Sequence, residues 1–111
     1  MPYTIYGEGM YRAIEAVSIL NVPIIITEYG VADAVDDRRE IYIKRYLYAV
    51  SKAIEDGFNI TGYFYWSLMD NFEWAFGYDM KFGIFAVDYK TQERSLREGA
   101  RAFMEIINNE K

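Results

Sequence analysis

Two short segments of this chain carry carboxylates and large aromatic rings where a fold would present them to a ligand. Glu28 stands in T-E-Y-G, one residue beyond an apolar, largely β-branched run at residues 22–27, and Ser67 lies at the end of a second apolar run at residues 62–68. The residues after Ser67 include Asp70, Glu73, Trp74 and Asp79. Histidine and cysteine are both absent, which removes the commonest general base and metal ligand together with any thiolate or disulfide. The remaining chemical vocabulary is carboxylates, tyrosine, lysine and hydroxyls. Aromatic residues make up 18% of the chain, a density that suits either a large core or a sugar-binding cleft, since flat apolar rings stack on the C–H faces of pyranoses.

The elements that must position these groups are legible from hydrophobic spacing. Met10, Ala13, Ile14, Val17 and Leu20 recur at helical intervals, predicting an amphipathic helix over residues 9–20. The run at 22–27 reads as a strand buried on both faces, as in parallel sheets, with Pro23 at its start, where a missing N–H costs little. Asp37 and Glu40 form a D-x-x-E pattern like a capping box. Ile43, Tyr46, Leu47, Val50 and Ile54 then supply the buried stripe of a second helix. Glu40 and Lys44 are four apart in the favourable order, and Gly57 is placed to end the helix in a left-handed conformation. Residues 62–68 predict a second strand, so the segment is a β-α-β unit with a right-handed crossover expected. Residues 82–87 predict a short extra strand or hairpin. Ser95 and Glu98 repeat the capping pattern before a last helix with Ala100, Phe103 and Ile107 on its inner face.

Composition narrows the partners. The chain has 111 residues, at most one small domain, and a net charge of −5. Its basic residues are interleaved with acids rather than gathered on a face, which argues against nucleic acid. No run approaches the roughly 18–20 apolar residues of a membrane span, and the first residues lack a basic region followed by an apolar run. A cytoplasmic, non-membrane protein is expected. One glutamine, no cysteine and abundant Glu, Lys, Arg and Ile point toward a thermophilic source.

Residues 62–89, GYFYWSLMDNFEWAFGYDMKFGIFAVDY, read with PIIITEYG at residues 23–30, resemble the last third of a family 1 glycoside hydrolase, the β-glucosidase and β-galactosidase family. The resemblance covers nearly the whole chain, from Tyr6 to about Ile107. It implies an α/β fold that is part of a (β/α)8 TIM barrel, with residues 1–111 as its C-terminal portion: the last two βα units and the helix before them. Such a barrel normally exceeds about 200 residues, and the family's acid/base glutamate would lie in the part this chain lacks.

The resemblance also implies roles. T-E-x-G corresponds to the nucleophile segment, making Glu28 the catalytic nucleophile of a retaining β-glycosidase, which needs a second carboxyl about 5–5.5 Å away. On W-S-L-x-D-N-x-E-W, Trp66 corresponds to the platform under the sugar, Glu73 to the carboxylate that binds two neighbouring hydroxyls, and Trp74 to an indole donor. Phe82 corresponds to a ring flanking the sugar, and the Trp66–Ser67 peptide bond to a cis bond. The sequence departs from the family pattern at Tyr29, where Asn is usual. Asp36, Asp37, Asp70 and Asp79 read as turn and cap residues without chemistry, and Glu8 and Glu15 as a solvated helix face. The expected partners are a β-glycoside substrate and a complementing N-terminal chain or self-association; no metal or organic cofactor is expected. An alternative of another class is a non-catalytic sugar-binding or assembly fragment that kept the aromatic wall.

Overall fold

The computed structural model describes residues 5–109; the reading of the first residues as lacking a leader rests partly on residues 1–4, outside that range. The chain order is helix α1 (Gly7–Ser18), strand β1 (Ile24–Tyr29), helix α2 (Arg39–Glu55) and strand β2 (Ile60–Tyr65). A hairpin of β3 (Phe85–Val87) and β4 (Arg94–Leu96) and a last helix α3 (Arg101–Asn109) follow. The strands β1 and β2 pair in parallel and β3 and β4 antiparallel.

Helix α1 buries Met10 and Ile14, while Val17 and Leu20 of the expected stripe are exposed. It stops before Asn21, which adopts a left-handed φ of 54°, a conformation asparagine tolerates better than most residues. The stripe on α2 includes Ile43, Tyr46 and Val50 as the spacing predicts, joined by Tyr42, Ala49 and Ala53, whereas Ile54 is exposed. Gly57, with φ of 100°, ends α2: its N–H bonds to the Ile54 carbonyl and that of Phe58 to the Ala53 carbonyl, each at 3.0 Å. Glu40 and Lys44 form their exposed pair at 2.7 Å.

The expected cap of α2 is corrected. Asp37 is exposed and caps nothing; Asp33 Oδ2 accepts the N–H groups of Arg38 and Arg39 at 2.8 and 2.9 Å. The carboxylate reaches the helix from five residues upstream because the loop at 30–36 folds back across the helix start, which a pattern of fixed local offset does not detect. The Ser95 cap is corrected too. Ser95 sits within β4, paired with Ala86. A 3-10 turn at Glu98–Ala100 leads into α3, and the Gly99 N–H bonds to Asp36 Oδ2 at 2.8 Å. Ala100 and Ala102 are buried and Phe103 lies 5.7 Å from the Tyr65 ring, while Ile107 is exposed.

Both main strands are shifted from their expected limits. The first extends through Glu28 and Tyr29, so Glu28 belongs to the strand instead of following it, and the second ends at Tyr65, two residues before Ser67. The expectation of burial on both faces also fails. Ile26 is buried beneath the helices with Ile24 beside it, but Ile25 and Phe64 on the other face are exposed. Among the described residues α1 and α2 cover only one side of the sheet, and the continuous apolar run is therefore half used. Among the same residues no helix is long and apolar enough to cross a membrane.

Asp33→Ala is expected to lower stability by about 1–2 kcal/mol through loss of the α2 cap, against less than about 0.5 kcal/mol for Asp37→Ala. Urea unfolding followed by far-ultraviolet circular dichroism distinguishes the two.

Candidate active site

The site starts from a register irregularity at the end of β1. Ile26 pairs with Tyr63 and Tyr29 with Tyr65, so three steps along β1 match two along β2. The extra residue falls at Thr27–Glu28, and such a bulge re-aims the side chains beside it. Glu28 is exposed at the carboxyl end of the sheet, while the Tyr29 ring turns onto α2, with centroids 4.6 Å from Tyr46 and 5.9 Å from Tyr42.

The two strand ends then close on each other. The Trp66 N–H bonds to the Tyr29 carbonyl at 2.9 Å, and a Cβ on Gly30 would lie 1.7 Å from the Trp66 carbonyl oxygen. Only glycine permits this approach, which explains the glycine of T-E-Y-G physically. The Trp66–Ser67 peptide bond is cis. Beyond it Ser67 is buried, its Oγ donating to the Met69 carbonyl at 2.8 Å, and Asn71 Nδ2 donates to both Ser67 Oγ and the Met69 carbonyl. Glu73 and Trp74 project from a small closed turn in which the Glu73 N–H bonds to the Gly77 carbonyl at 2.7 Å and the Phe76 N–H to the Glu73 carbonyl at 2.8 Å.

These segments bound a hollow of about 560 Å³ whose lining includes Glu28, Trp66, Glu73, Trp74 and Phe82. All five residues singled out in the sequence are thus brought to one place. Asn71, Phe72, Tyr42 and Tyr46 also line it. Of the two tyrosines, one helical turn apart on α2, the sequence marks Tyr46 only as part of the buried stripe and gives no signal for Tyr42. Phe82 is buried, Trp66 is 37% exposed and Trp74 83% exposed, a gradient from a packed floor to an open rim. Among the described residues neither the Glu28 nor the Glu73 carboxylate accepts a hydrogen bond, so both keep their acceptor capacity for a ligand. A larger hollow of about 700 Å³ between α1 and α2, lined by Tyr6, Tyr11 and Tyr48, contains neither strand-end carboxylate. No group of three or more His, Cys, Asp or Glu side chains among the described residues could hold a metal ion.

Two buried carboxylates brace the surroundings. Asp70, read from the sequence as a turn residue, is buried and paired with Arg97 through two hydrogen bonds of 2.7 and 2.9 Å. It also accepts the N–H groups of Gly83 and Val87. Burial pushes its carboxyl upward, but the Arg97 and backbone hydrogen bonds prevail and hold it below the usual carboxylate range. Asp33 behaves alike: burial raises it, while the Arg38 and Arg39 N–H groups and the Arg39 charge bring it below normal. Arg39 is fully buried, paired with Asp36 at 2.5 Å and donating to the Lys81 carbonyl at 2.7 Å. Burial, with Tyr46 alongside, pushes the Tyr29 hydroxyl up to about 12, and burial raises Tyr42 and Tyr63 as well. Tyr29, Tyr42 and Tyr63 therefore stay neutral phenols at neutral pH.

A family model described as glycosyl hydrolase family 1 matches residues 1–111. The chain belongs to glycosyl hydrolase family 1. It is 44% identical over 108 residues to a β-galactosidase of Pyrococcus woesei, covering 96% of this chain and 21% of that protein. To β-glucosidase A of Acetivibrio thermocellus it is 37% identical, covering 98% of this chain and 27% of the relative. Among solved structures, a β-glycosidase from Pyrococcus horikoshii superposes with a TM-score of 0.91 at 44% identity, covering 96% of this chain and 25% of that one. Fpglu1 from Fervidobacterium pennivoraus superposes with a TM-score of 0.94 at 38% identity, covering 98% of this chain and 24% of that one. The chain thus spans about a fifth to a quarter of these family 1 relatives, and it is a small α/β piece consistent with part of their TIM barrel.

Gly30→Ala in this family 1 chain would force a methyl group into the Trp66 backbone, and a loss of about 1–3 kcal/mol or more is expected in chemical denaturation. Acid should act through Asp33 and Asp70. Their folded pKa values are depressed, so the stability they contribute is complete above the ordinary aspartate value of about 3.9 and is lost as pH falls through the folded values. Melting temperature is expected to fall below about pH 4, with a shallower fall in Asp33→Asn, the variant at the α2 cap.

Proposed function

We propose that this chain supplies the nucleophile and much of the sugar-binding wall of a retaining β-glycosidase, acting as the C-terminal portion, the last two βα units and preceding helix, of a (β/α)8 barrel. The observation that carries the proposal is the convergence of Glu28, Trp66, Glu73, Trp74 and Phe82 on one hollow at the carboxyl ends of two parallel strands. That end of a barrel is where reactive residues of this architecture lie.

In this reading Glu28 attacks the anomeric carbon of a β-glucoside, β-galactoside, β-fucoside or β-mannoside. The C–O bond to the leaving group breaks as that oxygen takes a proton from a glutamic acid on the missing part of the barrel, leaving a glycosyl ester on Glu28. The same glutamate, now ionised, removes a proton from water, which attacks the anomeric carbon and restores Glu28. Glu73 accepts hydrogen bonds from two neighbouring hydroxyls, charge-assisted and so stronger than neutral ones. Trp74 donates its indole N–H to a third hydroxyl, while Trp66 and Phe82 cover the apolar faces of the sugar.

A complementing polypeptide is proposed because this chain lacks that second carboxyl and leaves apolar side chains uncovered. Ile25, Phe64 and Leu68 near the sheet, Ile19 and Leu20 past α1, and Met104 and Ile107 on α3 are all exposed. Such a distribution fits surfaces meant for neighbouring barrel units.

The test combines this chain with a polypeptide carrying the missing strands and follows p-nitrophenyl β-D-glucoside hydrolysis. Turnover is expected from the combination only, and Glu28→Gln should reduce it by at least about a thousandfold. Turnover by this chain alone would overturn the need for a complement, and full turnover by the variant would overturn the nucleophile. Binding of methyl β-D-glucoside without any rescue would favour a non-catalytic sugar-binding fragment, which the unspent acceptors of Glu28 and Glu73 would suit.

A further inference from the structure

Asp70 and Arg97 do not line the hollow, yet they join the stretch after Trp66 to the stretch after Phe82. Asp70 lies four residues after Trp66; Arg97 lies in the connection between β4 and α3. Their side chains are 2% and 10% exposed, and the carboxylate and guanidinium meet through two hydrogen bonds. Each uses its remaining capacity on the stretch that follows Phe82. Asp70 accepts the Gly83 N–H at 3.0 Å and the Val87 N–H at 3.2 Å, Arg97 Nη1 donates to the Gly83 carbonyl at 2.8 Å, and the Arg97 N–H donates to the Ile84 carbonyl at 3.0 Å.

That stretch lies directly against the residues following Trp66. The Ser67 N–H bonds to the Phe82 carbonyl, the Ile84 N–H to the Ser67 carbonyl at 2.8 Å and the Phe85 N–H to the Leu68 carbonyl at 2.9 Å. A Cβ on Gly83 would lie 2.4 Å from both the Asp70 nitrogen and the Phe85 carbonyl oxygen, so the fit leaves no slack. On the other side of Phe82, the Lys81 carbonyl is held by Arg39 Nη2 and the Asp33 N–H. Phe82 is thus suspended between two ion-paired arginines, Arg39 fully buried and Arg97 largely so.

We propose that Asp70 and Arg97 are a positioning pair that sets where Trp66 and Phe82 stand in the hollow, and that the sugar-facing wall depends on this pair while the β1–α2–β2 unit does not. A purely apolar filling of the same volume could stabilise the region as well, but it could not satisfy the Gly83 and Val87 N–H groups, which fix the direction of the wall. The purpose of the wall rests on the glycosidase proposal; its mechanical dependence does not, and it can be tested without sugar.

The chain has two tryptophans, Trp66 and Trp74, so Trp74→Phe leaves Trp66 as a single reporter in the wall. In that background Asp70→Asn and Arg97→Lys are compared by acrylamide quenching of Trp66 and, separately, by the helical circular dichroism signal during urea unfolding. About a twofold rise in the quenching constant of both variants, with the native helical signal retained in water, is the expected result for loosening confined to the wall. Unchanged quenching would overturn the proposal. Loss of the helical signal together with the quenching change, in the milder Arg97→Lys as well as in Asp70→Asn, would make the pair a general stability element and overturn it equally. The expected double variant adds less than the sum of the singles, because two partners of one contact are not independent. Failure of complemented hydrolysis with wild-type quenching intact would count against the glycosidase proposal alone.

Discussion

The carboxyl ends of β1 and β2 are joined by a contact that tolerates no side chain: the Trp66 N–H bonded to the Tyr29 carbonyl, with Gly30 lying under the Trp66 carbonyl oxygen. Everything in the hollow is placed relative to that contact. Glu28 is two residues from Gly30, so its backbone is tied to that of Trp66 through this contact. The bulge before Tyr29 allows neighbouring residues to serve different layers, Tyr29 packing on α2 while Glu28 faces solvent at the strand end. Core and site are therefore adjacent residues of one strand, and a change in either is felt by the other.

The aromatic packing behind the site makes this economical. Tyr29, Tyr42 and Tyr46 form a continuous stack, with Tyr42 and Tyr46 at 4.2 Å between centroids, and offset or tilted rings at such distances gain about 0.5–1.5 kcal/mol beyond their buried area. Where the family resemblance leads to the expectation of Asn beside the nucleophile, this chain places a ring that joins the stack. The Tyr29 ring anchors the end of β1 on α2.

Much of the fold was legible because its signals are local and repetitive. The spacing Ile43, Tyr46, Val50 marks the buried face of α2, and Gly57 marks its end, since both are properties of a helix considered by itself. Capping was misassigned at both Asp37 and Ser95 for one shared reason. The groups that satisfy the helix and turn N–H donors are Asp33 and Asp36, reaching Arg38, Arg39 and Gly99 across loops, and an offset rule cannot see a loop fold back. The convergence of Glu28 with Trp66, Glu73, Trp74 and Phe82 was legible through strand ends and through the family resemblance. The bracing by Asp70 and Arg97 was not, because the two partners lie 27 residues apart and an aspartate in a loop has the same sequence appearance whether it caps a turn or anchors a buried arginine.

The half-covered sheet explains why so small a piece still presents a formed hollow. Two parallel strands alone are marginal at best, and here Ile25 and Phe64 face solvent. Stability must then come from the covered side, where Ile26, Val31, Tyr42, Tyr46 and Val50 are buried together. The loop wall beyond Trp66 is supported differently, by buried ion pairs and backbone hydrogen bonds. Apolar burial is non-directional and tolerates small shifts, whereas a carboxylate with two guanidinium and two amide donors fixes orientation. A site that must offer rings and acceptors to a ligand at set angles is better served by the second kind of support. The division of labour in this chain, packing under the strands and charge under the loops, follows from that difference.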